Sequence, residues 1–267
     1  MTLNMNAVVG RKDIVFLTLD TLRYDVAEAC FRNGETPHLG RIFPGGWEER
    51  HSPGSFTYAA HHAFFAGFFP TPVTAPWPER LFAVEFPGSA TTGPGTCVFR
   101  TPDIVSGLHS HGYRTICIGG VGFFNQLSPL SCVLPSLFEE AHWSPEFGVT
   151  QRDSTEIQFA LAAQRLGEIP TDRRVFLFVN VSAIHQPNWF YLEGGQQDSL
   201  ASHAAALRYV DSKLPVLIEA IRARGGAFLV VCSDHGTLYG EDGFVGHRVG
   251  HPSVWTVPYA ETLLEEI

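Results

Sequence analysis

Residues 227–236 read AFLVVCSDHG: the apolar run Ala227–Cys232 passes without a break into Ser233-Asp234-His235-Gly236. A short, continuous apolar run rich in β-branched residues and bounded by turn formers fits a strand buried on both faces, as in a parallel sheet. Outward from it, three more runs have the same character: Asp13–Leu19 (DIVFLTL), Arg114–Gly119 (RTICIG) and Arg174–Val181 (RVFLFVNV). Helical spacing lies between them. Residues 153–166 place Ile157, Ala160, Leu161 and Leu166 at helical intervals. Residues 202–224 place Leu207, Val210, Leu214, Leu217, Ile218 and Ile221 on one face, with Gly225-Gly226 as a stop. Pro215 inside that second pattern predicts a kink or two abutting helices, and residues 102–110 read as a further short helix.

Strands alternating with helices predict a doubly wound α/β fold with a mostly parallel sheet sandwiched by helices. The length of 267 residues suits one sizeable domain or two small ones. Two segments rich in Pro, Gly and aromatics, 67–100 and 119–147, read as long loops or a small cap, and long loops in such domains tend to be functional. No internal repeat and no low-complexity tract is present.

The chain is acidic, with a formal net charge of −9 and no Lys/Arg cluster. Such a surface repels nucleic acid, and an anionic substrate needs a local cation. No stretch reaches the roughly 18 apolar residues of a membrane span. The apolar run after Lys12 ends in Asp20 and lacks a small-residue cleavage site, so it reads as a buried strand and not as a signal peptide. Five scattered cysteines (Cys30, Cys97, Cys117, Cys132, Cys232) show no metal-ligand spacing. They read as thiols of a reducing compartment, which predicts a cytoplasmic protein.

In an open α/β sheet, ligands bind beyond the carboxyl ends of the strands. The first run ends in Asp20-Thr21-Leu22-Arg23, the third in Ser182-Ala183-Ile184-His185 and the fourth in Asp234-His235. Singly, an Asp there is often a helix cap and a His a satisfied core residue. Together they bring Asp, His and Asp-His to one sheet edge. Such a set suits Zn²⁺ or Mn²⁺, and mostly oxygen ligation would admit Mg²⁺ or Ca²⁺.

The segment Phe16–Asp25 (FLTLDTLRYD) resembles the opening strand and turn of the alkaline phosphatase and sulfatase superfamily, whose Asp binds metal. Ser233-Asp234-His235-Gly236, followed by Gly246-His247, is similar to that family's late metal-binding strand and loop. Thr57, His61 and Ala66-Gly67 match the spacing of its nucleophile segment, which Ser55 misses by two residues. Thr36-Pro37-His38-Leu39 and Ala206–Leu217 resemble further family segments, so the likeness runs from about residue 12 to 261. The resemblance implies a single domain over 1–267 and an alkaline-phosphatase-like sheet without the usual C-terminal subdomain. It implies a metal held by Asp20, Thr57, Asp234 and His235. His185 with His247 or His251 stands as a possible second site. Thr57 is then the nucleophile, His61 and His185 contact the anion or move a proton, and Arg23 neutralises carboxylates or anion, or serves as a brace.

The pattern also departs from the family. No Cys or Ser followed by Pro and Arg marks a formylglycine site. The second acidic residue after the first Asp is Thr21. Gly120 and Gly122 stand where sulfatases have Lys and His, and Ser182 or Ala183 where two-metal phosphodiesterases have Asp. These departures favour phosphate over sulfate. The expected activity is metal-dependent hydrolysis or transfer of a phosphate mono- or diester, a small-molecule anion, through Thr57. The alternatives are a sulfate-ester hydrolase with the same site and a non-catalytic metal-binding protein. Phe123, Phe124, Trp143, Trp189 and Phe190 are candidates for an aromatic pocket, or plain core.

Overall fold

Each apolar run becomes a strand because its alternate side chains have two separate cores to enter. In a computed structural model that describes residues 3–87 and 92–265, the strands are β1 (Asp13–Leu19), β2 (Glu48–His51), β3 (Thr71–Pro72), β4 (Phe82–Val84), β5 (Cys97–Phe99), β6 (Arg114–Ile118), β7 (Glu140–His142), β8 (Val175–Val181), β9 (Ala227–Cys232), β10 (Leu238–Tyr239), β11 (Val245–Gly246) and β12 (Thr256–Leu264). The helices are α1 (Met5–Val8), α2 (Tyr24–Arg32), α3 (Pro37–Ile42), α4 (Thr57–Phe65), α5 (Ile104–Ser110), α6 (Pro129–Cys132), α7 (Ser154–Glu168), α8 (Leu200–Ala223) and α9 (Pro252–Trp255). Eight strands form one sheet in the order β3-β2-β12-β9-β1-β8-β6-β7. From β9 to β7 the strands are parallel, whereas β12, β2 and β3 add an antiparallel edge. This is the helix-flanked, mostly parallel α/β sheet that the sequence predicts.

Along β1, Val15, Leu17 and Leu19 join Leu177, Val179, Leu229 and Val231 under the helices α2, α3, α7 and α8. Ile14 and Phe16 point the other way, into a second core with Phe176, Phe178, Phe228, Phe64 and Leu108. That second core is strongly aromatic: Phe16 meets Phe178 edge-on at 5.6 Å between ring centres. In register above this pair, Thr18 lies beside Asn180 and Cys232. The sheet interior thus turns polar one layer before its carboxyl edge.

Three expectations change in detail. α8 is one helix through Pro215, neither split nor abutting a second. Leu207, Val210, Leu214, Leu217, Ile218 and Ile221 are all buried on both sides of the proline, and this packed stripe outweighs one missing backbone bond. In α7, Ala160 is exposed while Phe159 and Ala162 are fully buried. The helix packs against α8 as well as the sheet, and that turns its inner stripe. The two long segments also carry structure: β3 joins the main sheet, β4 and β5 pair in parallel, and 119–147 contains α6 and the edge strand β7. Residues 88–91 of the first segment lie outside the described residues.

The amino end of the sheet is held by a buried ion pair. Arg224 Nε donates to Asp13 Oδ2 at 2.7 Å, with both side chains 3% exposed. The same guanidinium donates to the carbonyls of Leu166, Ile169 and Arg173, and Asp13 Oδ1 accepts from the Val175 amide. Removing one partner of such a pair strands the other charge away from water. Arg224→Met should therefore lower the unfolding free energy by about 3–5 kcal/mol, read from urea denaturation. Adding Asp13→Asn should recover part of the loss; a double variant no more stable than the single one would refute the pairing.

Candidate metal centre and catalytic cavity

Asp20 follows β1 directly and Asp234-His235 follow β9 by one residue, so adjacent parallel strands deliver the three side chains to one edge. One potential ligand atom from each lies within 4.8 Å of the others, and all three residues are fully buried. Asn180, inside β8, donates to Asp20 Oδ2 at 3.0 Å. Asp234 Oδ1 accepts from the amides of Thr21 and His235. The remaining oxygens, Asp20 Oδ1 and Asp234 Oδ2, have no protein partner. His235 donates its Nδ1–H to the Gly236 carbonyl at 2.9 Å. That fixes the tautomer and leaves a lone pair on Nε2, 3.5 Å from Asp234 Oδ2.

Thr57 opens α4 at its first helical position; the cap residue is Phe56, with no side-chain capping bond. The Thr57 hydroxyl is therefore not spent on the helix. Its Oγ1 lies 3.3 Å from Asp20 Oδ2 and 3.4 Å from His235 Nε2. Acceptor atoms that converge with two orphaned carboxylate oxygens make a set that a divalent cation satisfies and that no proton arrangement fully does. The donor set fits a metal on this geometry.

Electrostatics agree. Burial first, and the charge of Asp234 second, push the Asp20 carboxyl up to about 6. Burial pushes Asp234 up to about 7. Burial likewise holds His235 below its ordinary value.

No family model and no curated protein matches the sequence. Solved structures do match. The C-terminal periplasmic domain of phosphoethanolamine transferase EptC from Campylobacter jejuni aligns at a TM-score of 0.60 and 14% identity, over 94% of this chain and 79% of that one. The EptC periplasmic domain of Escherichia coli, solved in complex with zinc, aligns at 0.64 and 14%, over 96% and 73%. A protein of the alkaline phosphatase superfamily from Vibrio parahaemolyticus aligns at 0.56 and 18%, over 96% and 60%. The fold is alkaline-phosphatase-like, as in these solved structures.

Within this alkaline-phosphatase-like sheet the other expected site residues divide. His185 and His247 do reach the centre: the His247 ring lies 4.4 Å from that of His235 and 5.5 Å from that of His185. His185 donates Nδ1–H to the Gln186 carbonyl, which leaves Nε2 free. His247 Nδ1 is buried without a partner. Together with Thr57 and Arg248 they line a cavity of about 630 Å³. Of the expected aromatic residues, Phe123 lines that cavity, whereas Phe124 is core and Trp143 donates to the Gly120 carbonyl.

Two expectations are corrected, and for a third residue one of two alternatives is chosen. His61 was expected at the anion. It is fully buried, donates Nδ1–H to the Thr57 carbonyl and accepts from the Thr18 hydroxyl at Nε2. Walled in by Phe64, Phe65, Phe124 and Phe178, it has no nitrogen left for substrate, and burial holds its pKa down to about 3. His251 is not a ligand of this centre. It caps α9, accepting the Ser253 amide at Nδ1 while Nε2 pairs with Asp242. Of the two roles expected for Arg23 the geometry fits the brace, with its guanidinium donating to Asp25, Glu241 and the Thr237 carbonyl.

Two residues escaped the sequence reading. Asn180 was legible as the one amide side chain in an otherwise apolar doubly buried strand. Arg248 was legible as a cation beside His247 in an acidic chain.

The carboxylate pair makes a pH prediction for the metal-free protein. Because the folded pKa values of Asp20 and Asp234 lie above the ordinary carboxylate value of 3.8, the folded state holds protons that the unfolded state releases. Their contribution to stability is complete below about pH 4 and is lost as pH rises through about 7. The stability of wild type relative to Asp234→Asn, measured by thermal melts in chelator, should thus fall between pH 4 and 7, and added Zn²⁺ should restore it. A difference that stays flat with pH would refute the buried pair.

Proposed function

We propose that this protein is a metal-dependent hydrolase or transferase of phosphate esters, with Thr57 as the nucleophile. One observation carries the reading: an uncapped Thr57 hydroxyl, at a helix N-terminus, within 3.4 Å of both Asp20 and His235. Asp20, Asp234, His235 and Thr57 would hold the cation, and Zn²⁺ or Mn²⁺ suits two carboxylates, an imidazole and a hydroxyl. Bound there, the cation lowers the pKa of the Thr57 hydroxyl and offsets the charge of the transferring group.

Thr57 Oγ1 loses its proton toward Asp20 Oδ2 and attacks phosphorus. A bond from Oγ1 to phosphorus forms as the bond to the leaving oxygen breaks, and that oxygen takes up a proton. His185, whose Nε2 is free, handles that proton at the cavity side. Water or an acceptor hydroxyl then attacks the phosphothreonine and releases Thr57. Because Thr57 opens α4, the positive end of the helix dipole would favour the developing charge. His61 holds the Thr57 carbonyl and acts by positioning.

Support for phosphate over sulfate comes from the nucleophile, since no formylglycine precursor stands at this position. Residues 1–267 are read as one working domain. A reducing, cytoplasmic setting is part of the proposal and rests on five unpaired thiols, four of them buried. Among the described residues no helix is long and apolar enough to cross a membrane.

Elemental analysis should find about one Zn²⁺ or Mn²⁺ per chain, lost in Asp234→Ala. The same wild-type sample should cleave generic phosphodiesters or phosphomonoesters. Thr57→Ala should lower turnover by at least about a hundredfold, with Thr57→Ser partly active. A folded protein with neither metal nor turnover after divalent ions are added would overturn the hydrolase reading, and turnover by Thr57→Ala equal to wild type would remove Thr57 from it.

A further inference from the structure

We infer that Arg248 is the substrate's anion-binding residue: its guanidinium holds the non-bridging oxygens of the ester that Thr57 attacks. The inference deepens the proposed function and rests on it.

The cavity that Thr57, His185 and His247 line is also lined by Val121, Phe123 and Leu130. Arg248 is the only Lys or Arg among its described lining residues, and no Asp or Glu lines it. In a chain of net charge −9, this is where an anion meets a positive potential.

The arginine is held in place by its backbone. Arg248 adopts a left-handed conformation, φ 73°, which costs energy in a residue with a side chain. Its amide donates to the Ser55 carbonyl at 2.9 Å. Ser55 lies two residues before Thr57, so the bond fastens the arginine to the nucleophile's own segment. The guanidinium rests over the rings of Phe56 and Phe123, at 5.4 and 6.0 Å from their centres.

Ring faces attract the cation without using up its N–H donors. Arg23 and Arg50 differ: their guanidinium groups are spent on Asp25 and Glu241, and on Glu48 and the Pro70 carbonyl. Arg248 keeps a planar fork of donors, the geometry that matches two oxygens of a tetrahedral oxyanion.

The test is titration of inorganic phosphate into zinc-loaded wild type, Arg248→Met and Arg248→Lys by calorimetry, with bound zinc measured in each. Arg248→Met should bind phosphate about 10- to 100-fold more weakly with zinc content unchanged, and Arg248→Lys should lie between. On esters, Arg248→Met should lose kcat/KM for an anionic diester and keep it for a neutral triester. Phosphate affinity within twofold of wild type in Arg248→Met would overturn the inference, as would equal losses on diester and triester. Zinc lost from both variants would also overturn it, by making Arg248 a structural support. A wild type that binds zinc and cleaves esters yet shows no phosphate affinity defeats this inference alone. Absence of both metal and turnover defeats the reading beneath it.

Discussion

Two carboxylates, those of Asp20 and Asp234, are fully buried at one sheet edge with ligand atoms within 4.8 Å of each other. Coulomb repulsion and lost hydration both act against the pair, yet the surrounding structure is arranged to keep it. Asn180 and the amides of Thr21 and His235 each satisfy one oxygen of a carboxylate and leave the other open. The strand register makes this possible. Thr18 aligns with Asn180 on one side and Cys232 on the other, so Asp20 and Asp234 both emerge two positions later, at the same height. A slip of one residue in β1 would turn Asp20 into the aliphatic core under α8. The centre therefore depends on the same alternation that packs Phe16 against one layer and Leu17 against the other.

The loops around the centre are held by charges and close backbone approaches. Arg23 ties the turn after β1 to Glu241 in the segment between β10 and β11, and His203 accepts the Arg23 amide while donating to Tyr239 of β10. That hairpin then presents His247 and Arg248. On the opposite side, a Cβ on Gly120 would come within 2.4 Å of the Asn180 carbonyl oxygen and 2.8 Å of Ser182 Cβ. The tight approach is what lets Asn180 Oδ1 accept from the amides of Gly120 and Val121. A side chain at that place is incompatible with this packing. Gly120 is thus built into the scaffold, as the cost of an Asn180 that orients Asp20.

How much was legible in the sequence follows from how local each signal is. The strands were legible because a doubly buried strand needs only apolar residues in succession. Asp20, Asp234 and His235 were legible because strand ends are where an α/β sheet exposes chemistry. His61 was not, because its fate depends on Thr18 and four phenylalanines from distant segments. His251 and His247, four residues apart in one loop, differ only in what folds against them: Asp242 and Ser253 consume one, and the other stays unpaired beside His235. Arg23 stood in sequence between an anion contact and a brace, and its partners Asp25 and Glu241, from a neighbouring residue and a distant hairpin, make the brace. Sequence proximity named the candidates; competition for hydrogen bonds decided among them.

That competition also bears on Thr57. A threonine at the start of a helix ordinarily stabilises it as the cap. Here the cap position falls to Phe56, whose ring instead carries Arg248. The helix gives up a capping bond, and the hydroxyl that would have made it sits between Asp20 and His235, both of which offer it only lone pairs. One proton can satisfy one of those acceptors at a time, so the hydroxyl binds neither tightly, in keeping with separations of 3.3 and 3.4 Å. A purely structural threonine would be expected to settle its hydrogen bonds. One held between two acceptors, with an arginine fastened to its own segment, is arranged for a reaction partner that completes both.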